Sequence, residues 1–159
     1  MARMNIKRII KGRLLQPFLL PLALLTLFIT GCNRVPMDEE GNPLLHQAAV
    51  DGDLAVIDQL LDTGSPVNVR DWCQRTPLMR AAQEGHTDSV KQLLAHGAMV
   101  NLHEKGDYTA LLLAAARGHD ETVAVLVDSG ADIDEAEKEH GWTALMLAAK
   151  NNQPETVRL

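Results

Sequence analysis

The sequence TPLMRAA at residues 76–82 decides the fold, because close versions of it recur at a nearly constant distance. PLLHQAA occupies residues 43–49, TALLLAA residues 109–115 and TALMLAA residues 143–149, so the four segments begin 33, 33 and 34 residues apart. The same step of 33 separates three further sets of residues, which are Gly52, Gly85 and Gly118; Gly64, Gly97 and Gly130; and Asn68, Asn101 and Asp134. A period of this length predicts a stack of small repeated units.

Each repeat reads as two short helices and a connection. Thr76 is suited to cap the first helix through its hydroxyl, and Pro77 fits the first helical turn, where its missing N–H leaves no bond unmade. Gly85 and Gly97 are placed to end the two helices in left-handed conformations. One repeat is too small to bury its own apolar stripe, so stacking of successive repeats is expected to close the core.

The pattern resembles the ankyrin repeat, whose signature reads TPLHxAA, then GH, a VxxLL helix and GADVN. The chain has GH at 85–86 and 118–119, LL at 60–61 and 93–94, and GAMVN at 97–101. This resemblance covers residues 41–159 and implies an all-α repeat solenoid of about three and a half repeats, in which β-hairpin loops join helix–turn–helix units. The implied repeats are 41–73, 74–106, 107–140 and a partial 141–159.

The chain departs from that signature in several places. Pro43 stands where the motif has threonine, as expected of a capping repeat. Gln74 and Asp107 replace the usual hairpin glycine, which predicts unusually shaped tips, and the connection 135–141 carries one extra residue. Leu159 aligns with a position just before the paired apolar residues of the second helix. We therefore expect either that these residues are the N-terminal part of a larger ankyrin-containing protein, or that a partner covers the fourth repeat.

The N-terminal residues have the features of a targeting signal. Residues 1–31 hold five basic and no acidic side chains, and an apolar stretch at 14–29 is short of the roughly 20 residues that span a bilayer. ITGC at 29–32 resembles the bacterial lipobox, which implies that residues 1–31 are removed and that Cys32 is acylated, leaving 32–40 as a tether. Asn33 favours, by resemblance to enterobacterial sorting, the outer membrane with the domain in the periplasm. An uncleaved signal anchor is the alternative.

Charge and composition exclude several classes of function. The whole chain carries −6, but residues 32–159 hold ten Lys and Arg against 21 Asp and Glu, a charge of −11. Phosphate backbones are bound by clustered bases, so we expect no nucleic-acid partner, and a basic or polar protein instead. The sequence also contains no phosphate loop, GxSxG elbow, HExxH, paired CxxC or dinucleotide fingerprint. We therefore expect no enzyme activity, cofactor, small-molecule substrate or metal site.

Histidines and carboxylates have simpler interpretations than catalysis. His86 and His119, in the Gly-His pairs, are expected to bond backbone groups. Glu135, Glu137 and Glu139 are interpreted as solvated loop charges. Cys73 has no partner in the chain once Cys32 is acylated, and is either an unreactive surface thiol or a redox group. A redox or metal accessory role that uses Cys73 and the histidines is the alternative function.

Aromatic residues indicate where a partner would bind. Trp72, Tyr108 and Trp142, the aromatics that remain after the signal, all fall in the connections between repeats and are expected to be exposed. Such rings either pack along the hairpin or contact a partner. The family resemblance implies a concave protein-binding surface, made of Asn42, Trp72, Cys73, Arg75, Gln83, Glu84, Tyr108, Arg117, Trp142 and Lys150. A protein-binding module, toxin-neutralising or protective of an envelope enzyme, is the function these features favour.

Overall fold

The computed structural model describes residues 36–38 and 43–158. These residues form eight α-helices: α1 (Leu44–Asp51), α2 (Leu54–Asp62), α3 (Pro77–Glu84), α4 (Thr87–Ala95), α5 (Ala110–Arg117), α6 (Asp120–Asp128), α7 (Ala144–Lys150) and α8 (Pro154–Arg158). Extended pairing in the described residues is limited to two isolated antiparallel bridges, Met37 with Pro43 and Ala136 with Thr143. The predicted all-α repeat solenoid is confirmed.

The helices form two layers. Helices α1, α3, α5 and α7 pack side by side in an inner layer, and α2, α4, α6 and α8 form an outer layer against it. Within each repeat the inner helix also packs on the outer helix that follows it. Every repeat except the terminal ones is thus held by a neighbour on each side, as expected of a solenoid.

The threonine that begins the motif caps each inner helix from the second repeat onward. The Thr76 hydroxyl accepts the N–H of Met79 at 3.3 Å, and Thr109 and Thr143 make the same bond to residues three positions ahead. Pro43 holds this position in α1 and provides no side-chain cap. Gly85 ends α3 with φ at 75°, a left-handed conformation that glycine adopts without a Cβ penalty. The predicted cap and stop are both confirmed.

Alanine pairs and branched residues fill the space between the layers. The residues that are completely buried here include Ala81, Ala82, Val90 and Leu93. A larger side chain at the two alanine positions would hold the inner helices apart. The motif leucine is buried in α3 and α5, at 1% exposure for Leu78 and 2% for Leu111, but Leu145 of α7 is 57% exposed. The difference arises because a following inner helix covers α3 and α5.

Asparagines of one repeat bond the backbone of the next. The Asn68 amide accepts the N–H of Met99 at 2.9 Å and donates to the Gly97 carbonyl at 3.5 Å. Asn101 makes the equivalent pair of bonds to Asp132 and Gly130, at 3.0 and 3.1 Å. The 33-residue step of these asparagines therefore serves to fix one connection on another.

In the part of the chain that the structure describes, the helices are all too short or too polar to cross a membrane.

Candidate protein-binding surface

Three hairpins connect the repeats beside the inner layer. In hairpin 71–75 the Asp71 N–H donates to the Arg75 carbonyl at 3.0 Å. Hairpin 104–108 is closed in the same way by a bond from Glu104 to Tyr108. Hairpin 137–142, one residue longer, is closed by a bond from Glu137 to Trp142. Each hairpin therefore begins at an acidic residue and ends directly before the threonine that caps the next inner helix.

The acidic residue clamps its own hairpin. The Asp71 carboxylate accepts the N–H groups of Cys73 and Arg75 at 2.8 and 2.9 Å and pairs with the Arg75 guanidinium at 2.9 Å. Glu104 accepts two backbone N–H groups in hairpin 104–108. These carboxylates are not among the predicted site residues, although Asp71, Glu104 and Glu137 are separated by the same 33-residue step as the glycines. That step is the signal in the sequence that could have found them.

Glu137 clamps the third hairpin in the same way, and its interpretation as a solvated loop charge is wrong. Its side chain is 1% exposed and accepts the N–H groups of Glu139, His140 and Trp142 at 2.7 to 3.1 Å. Burial raises the pKa of this carboxyl, but the three N–H donors lower it by more, so the pKa lies below its ordinary value. Burial and the hydrogen bonds from Arg75 oppose each other at Asp71 in the same way, and its pKa is also lowered.

The hairpin tips keep one backbone conformation despite their different residues. Gln74 has φ at 65°, Asp107 at 61° and Gly141 at 71°, all in the left-handed region. The expectation of unusual tips at Gln74 and Asp107 is therefore wrong, since these residues adopt the conformation for which glycine is preferred. The extra residue lengthens the turn, because Gly141 bonds the carbonyl four residues back whereas Gln74 and Asp107 bond three residues back.

Trp72 projects from the first of these tips. Its side chain is 73% exposed, and the neighbouring thiol of Cys73 is exposed as well. The Cys73 carbonyl accepts the N–H of Lys105 at 3.0 Å, so that hairpin 71–75 is fixed to hairpin 104–108. The indole of Trp72 therefore stands on a backbone that is held on both sides, without being buried itself.

Tyr108 and Trp142 differ from Trp72, and the expectation that all three rings are exposed is wrong for these two. Both are half-buried and pack against the apolar core. The Trp142 ring stacks on His140 with centroids 4.5 Å apart, and the Lys150 ammonium lies 3.5 Å from the centroid of the Trp142 ring. These contacts match the packing role that the sequence left open beside partner contact.

The other predicted contact residues lie on or beside the inner layer. Glu84, Arg117 and Lys150 are exposed, and Gln83 and Arg75 are half-buried. Asn42 and Cys32 lie outside the described residues. Arg80, absent from the predicted site, is half-buried in α3, and its Nε atom is buried with no hydrogen-bond partner among the described residues. Burial and then the charge of Arg75 lower the pKa of the Arg80 guanidinium from its ordinary value.

Histidines bond neighbouring repeats, as the sequence predicts for two of them. His86 Nε2 lies 2.8 Å from the Val50 carbonyl, and His119 Nε2 lies 3.0 Å from the Gln83 carbonyl. His46 Nε2 likewise lies 2.7 Å from the Arg75 carbonyl. Burial lowers the pKa of His46, which favours a neutral ring that donates through Nε2. These three rings thus serve as links from one repeat to another.

One group of potential metal-ligand atoms occurs among the described residues, at the third hairpin. Ligand atoms of Glu137, Glu139 and His140 lie within 4.8 Å of one another. Both Glu137 oxygens already accept backbone N–H groups, so a metal ion would compete with the clamp. Cys73 is not part of this group. The proximity is therefore explained by the hairpin itself.

Comparison with known proteins agrees with this architecture. Residues 21–104 and 99–159 match the family model described as ankyrin repeats in three copies. The chain is a member of the ankyrin-repeat family. A stretch of 36 residues is also 44% identical to the Tonsoku-like protein of Danio rerio, and it covers 23% of this chain and 2% of that protein. Ankyrin repeats are protein–protein interaction modules and are typically non-enzymatic.

Proposed function

We propose that this ankyrin protein is anchored by lipid in the bacterial envelope and binds another protein through hairpin 71–75 and the inner layer. The observation that carries the binding role is the 73% exposure of Trp72 on a hydrogen-bonded hairpin. Tryptophan is among the residues most enriched at binding hot spots, and a rigid backbone lowers the entropy lost when such a ring is covered. An indole in this position gives a partner a large apolar contact.

Capture from envelope extract tests the binding role. The full-length chain, in non-ionic detergent, serves as bait, and Trp72→Ala is compared with the parent. We expect the captured protein to bind the Trp72→Ala variant at least about tenfold more weakly, as hot-spot truncations do. A triple variant, Trp72→Ala with Tyr108→Ala and Trp142→Ala, that remained folded and bound its partner as tightly as the parent would show that the surface is elsewhere.

The lipid anchor is supported by the ITGC sequence at residues 29–32, which lies outside the described residues. Two or three acyl chains give stable membrane attachment, whereas one gives only marginal attachment. Metabolic labelling with an alkyne analogue of palmitate is expected to mark the parent chain, and Cys32→Ser to abolish the label. Fractionation of the cell envelope then tests the outer-membrane location. A labelled Cys32→Ser chain would count against the anchor.

Two physiological roles are compatible with this binding activity. The protein could neutralise an incoming antibacterial toxin, or protect an envelope enzyme, including against oxidants. A toxin gene beside the coding sequence would support the first role, and a catalase or other redox gene the second. The captured partner distinguishes them directly.

The exposed Cys73 thiol supports a redox accessory as the second candidate function. Cys73 lies on hairpin 71–75, so a redox partner would use the surface that Trp72 marks. Thiol titration of the purified chain and capture with Cys73→Ser test this candidate. Capture that depends on Cys73 and is reversed by a reductant would favour it over simple binding.

A further inference from the structure

The positive charges of the two layers differ in their partners. In the outer layer, Lys91 lies 3.2 Å from Glu121 and 3.5 Å from Asp88, and Arg158 lies 2.6 Å from Glu155. In the inner layer, the described residues provide no ion pair to Arg80, Arg117 or Lys150, although the Lys150 ammonium lies 3.5 Å from the centroid of the Trp142 ring. Helices α3, α5 and α7 thus carry one such cation each. The inner helices hold two acidic residues, Asp51 and Glu84, whereas the outer helices hold seven, which are Asp58, Asp62, Asp88, Asp120, Glu121, Asp128 and Glu155.

Arg80 is the most constrained of these cations. Its Nε donor is buried without an acceptor, which is costly for a charged group. The nearby Asp71 carboxylate is already engaged by three donors from Cys73 and Arg75. Glu84, one helical turn ahead of Arg80 in α3, is exposed and forms no ion pair with it among the described residues. Because Nε is buried, a carboxylate from outside the chain would bind the less buried remainder of the half-buried guanidinium, for which the described residues provide no hydrogen bond or ion pair.

The charged neighbours of Arg80 do not all have the same sign. Arg75 is itself positive and adds repulsion at the guanidinium. His46 also faces this group, and burial lowers its pKa, so the ring is neutral at pH 7. Asp71 and Glu84 place negative charge near the guanidinium, but neither forms a hydrogen bond or an ion pair with it among the described residues.

The spacing of the three cations suits an extended segment. Packed helices lie about 8–10 Å apart, so α3, α5 and α7 span roughly 20 Å. An extended chain advances about 3.3 Å per residue. Carboxylates at about every third residue of a segment of roughly seven residues would therefore reach successive inner helices, with the segment crossing them obliquely because Arg80 lies about one turn earlier in its helix than Arg117.

We propose that the inner face of α3, α5 and α7 binds an acidic segment of a protein partner, with Arg80 holding one of its carboxylates and Trp72 packing beside the segment. This inference rests on the proposed binding function and specifies the chemistry of the partner. It replaces the expectation of a basic or polar partner, which followed from the −11 charge of residues 32–159. The acidic outer layer would repel a long polyanion or an anionic bilayer, which favours a short acidic segment.

Fluorescence anisotropy with defined probes tests the inference on the full-length chain in non-ionic detergent. The probe is a fluorescein-labelled peptide with three Glu-Gly-Ser units, compared with its Lys-Gly-Ser counterpart. We expect the chain to bind the acidic peptide and not the lysine peptide. The affinity for the acidic peptide should fall as salt is added. Arg80→Gln should weaken binding about tenfold or more, since a charged hydrogen bond is removed. Arg117→Gln, an exposed position that leaves the core intact, should weaken it about threefold or more.

Lys91→Gln is the matched control, because it makes the same charge change at a cation that is paired in the outer layer. It should change the affinity by less than about twofold. Equal losses for Lys91→Gln and Arg80→Gln would overturn the proposal, since net charge alone would then explain binding. Preference for the lysine peptide or for oligothymidylate would overturn it as well. Thermal melts by circular dichroism confirm that each variant is folded.

The two proposals can fail separately. If the protein captured from envelope extract requires Trp72 but binds Arg80→Gln and Arg117→Gln as tightly as the parent, the acidic segment is wrong and the binding function stands. If the acidic peptide binds through Arg80 and capture does not depend on Trp72, the assignment of Trp72 is wrong instead.

Discussion

Hairpin 71–75 and hairpin 137–142 are built on the same carboxylate clamp but place their tryptophans differently. Trp72 follows the clamping Asp71 directly and stands at the tip, where 73% of its surface is exposed. Trp142 is the last residue of its hairpin and is covered by His140, Lys150 and the core. The position of a ring within the turn therefore decides whether it stabilises the fold or remains available to a partner.

Removal of the clamp has the largest expected effect. Asp71→Ala removes the acceptor of two backbone N–H groups and the partner of the Arg75 guanidinium. We expect a loss of about 2–3 kcal/mol in the free energy of unfolding, because charged hydrogen bonds are lost at a buried site. Urea denaturation of the full-length chain measures it. Glu137→Ala should be destabilising in the same direction, since three N–H groups lose their acceptor.

Asp58→Ala is the control for the clamp variants, because Asp58 is exposed on the outer helix α2. It should change stability by less than about 0.5 kcal/mol. If Asp71→Ala were as mild as Asp58→Ala, the carboxylate clamp would contribute little, and the two hairpins would owe their shape to the backbone alone.

The two tryptophans should differ in their effect on stability. Trp142→Ala removes a half-buried ring, its stack on His140 and its contact with Lys150, so we expect a loss of about 1–2 kcal/mol. Trp72→Ala removes an exposed ring and should change the free energy of unfolding by less than about 0.5 kcal/mol. Urea denaturation of both variants measures these two changes in the free energy of unfolding. Equal losses would erase the distinction between a ring that stabilises the fold and a ring that faces solvent.

Much of the fold follows from the sequence because its signals are local or periodic. The threonine cap, the glycine at the helix end and the Gly-His pairs each act over a few residues or across one repeat, and the structure confirms them. The 33-residue step then fixes which residues are equivalent in successive repeats. These features predict the two helices of each repeat and the stacking of the repeats, but not the conformation of the hairpin tips.

Side-chain directions within the turns could not be obtained in this way. An acidic residue in a loop is usually solvated, so Glu137 was indistinguishable by type from its exposed neighbour Glu139. The 33-residue period shows that Glu137 and Asp71 are equivalent positions, but it does not show that either carboxylate points into its own hairpin. Similarly, Tyr108 and Trp142 lie in loops by sequence, yet both rings pack against the apolar core. The unpartnered state of Arg80 could not be predicted either, because the sequence does not show which charged groups already have partners in the fold.

The clamps also predict how stability depends on pH. The pKa of Asp71 in the folded chain lies below its ordinary value of 3.8, and that of Glu137 below 4.5. The unfolded chain therefore binds these protons first as the pH falls. The stability that the clamps contribute is fully present above about pH 5 and is lost as the pH falls through 4.5 and 3.8 toward the folded pKa values.

Urea denaturation between pH 7 and pH 3 measures this dependence. The difference in unfolding free energy between the parent and Asp71→Ala should be constant above about pH 5 and shrink below it. A difference that stayed constant down to pH 3 would mean that the Asp71 carboxyl titrates alike in the folded and unfolded chains.

The smallest expected effect concerns the left-handed residue at each tip, which the two hairpins supply differently. Gln74 has φ at 65° and Gly141 has φ at 71°. A side chain in this conformation costs about 1–2 kcal/mol, which the greater freedom of glycine in the unfolded chain partly offsets. Gln74→Gly should therefore raise the free energy of unfolding by about 0.5–1 kcal/mol, and Gly141→Ala should lower it by a similar amount.

Steric conflict does not complicate the second substitution, since a Cβ added at Gly141 would meet no described atom within 4 Å. The two variants thus test backbone conformation alone, by urea denaturation at pH 7. Changes in the free energy of unfolding that have opposite signs and similar sizes would show that both hairpins have the same turn conformation at this position. They would also show that Gln74 in hairpin 71–75 lowers stability. If Gln74→Gly left stability unchanged while Gly141→Ala lowered it, the side chain of Gln74 would be making a stabilising contact at the tip beside Trp72. The two tips would then differ in more than the placement of their rings.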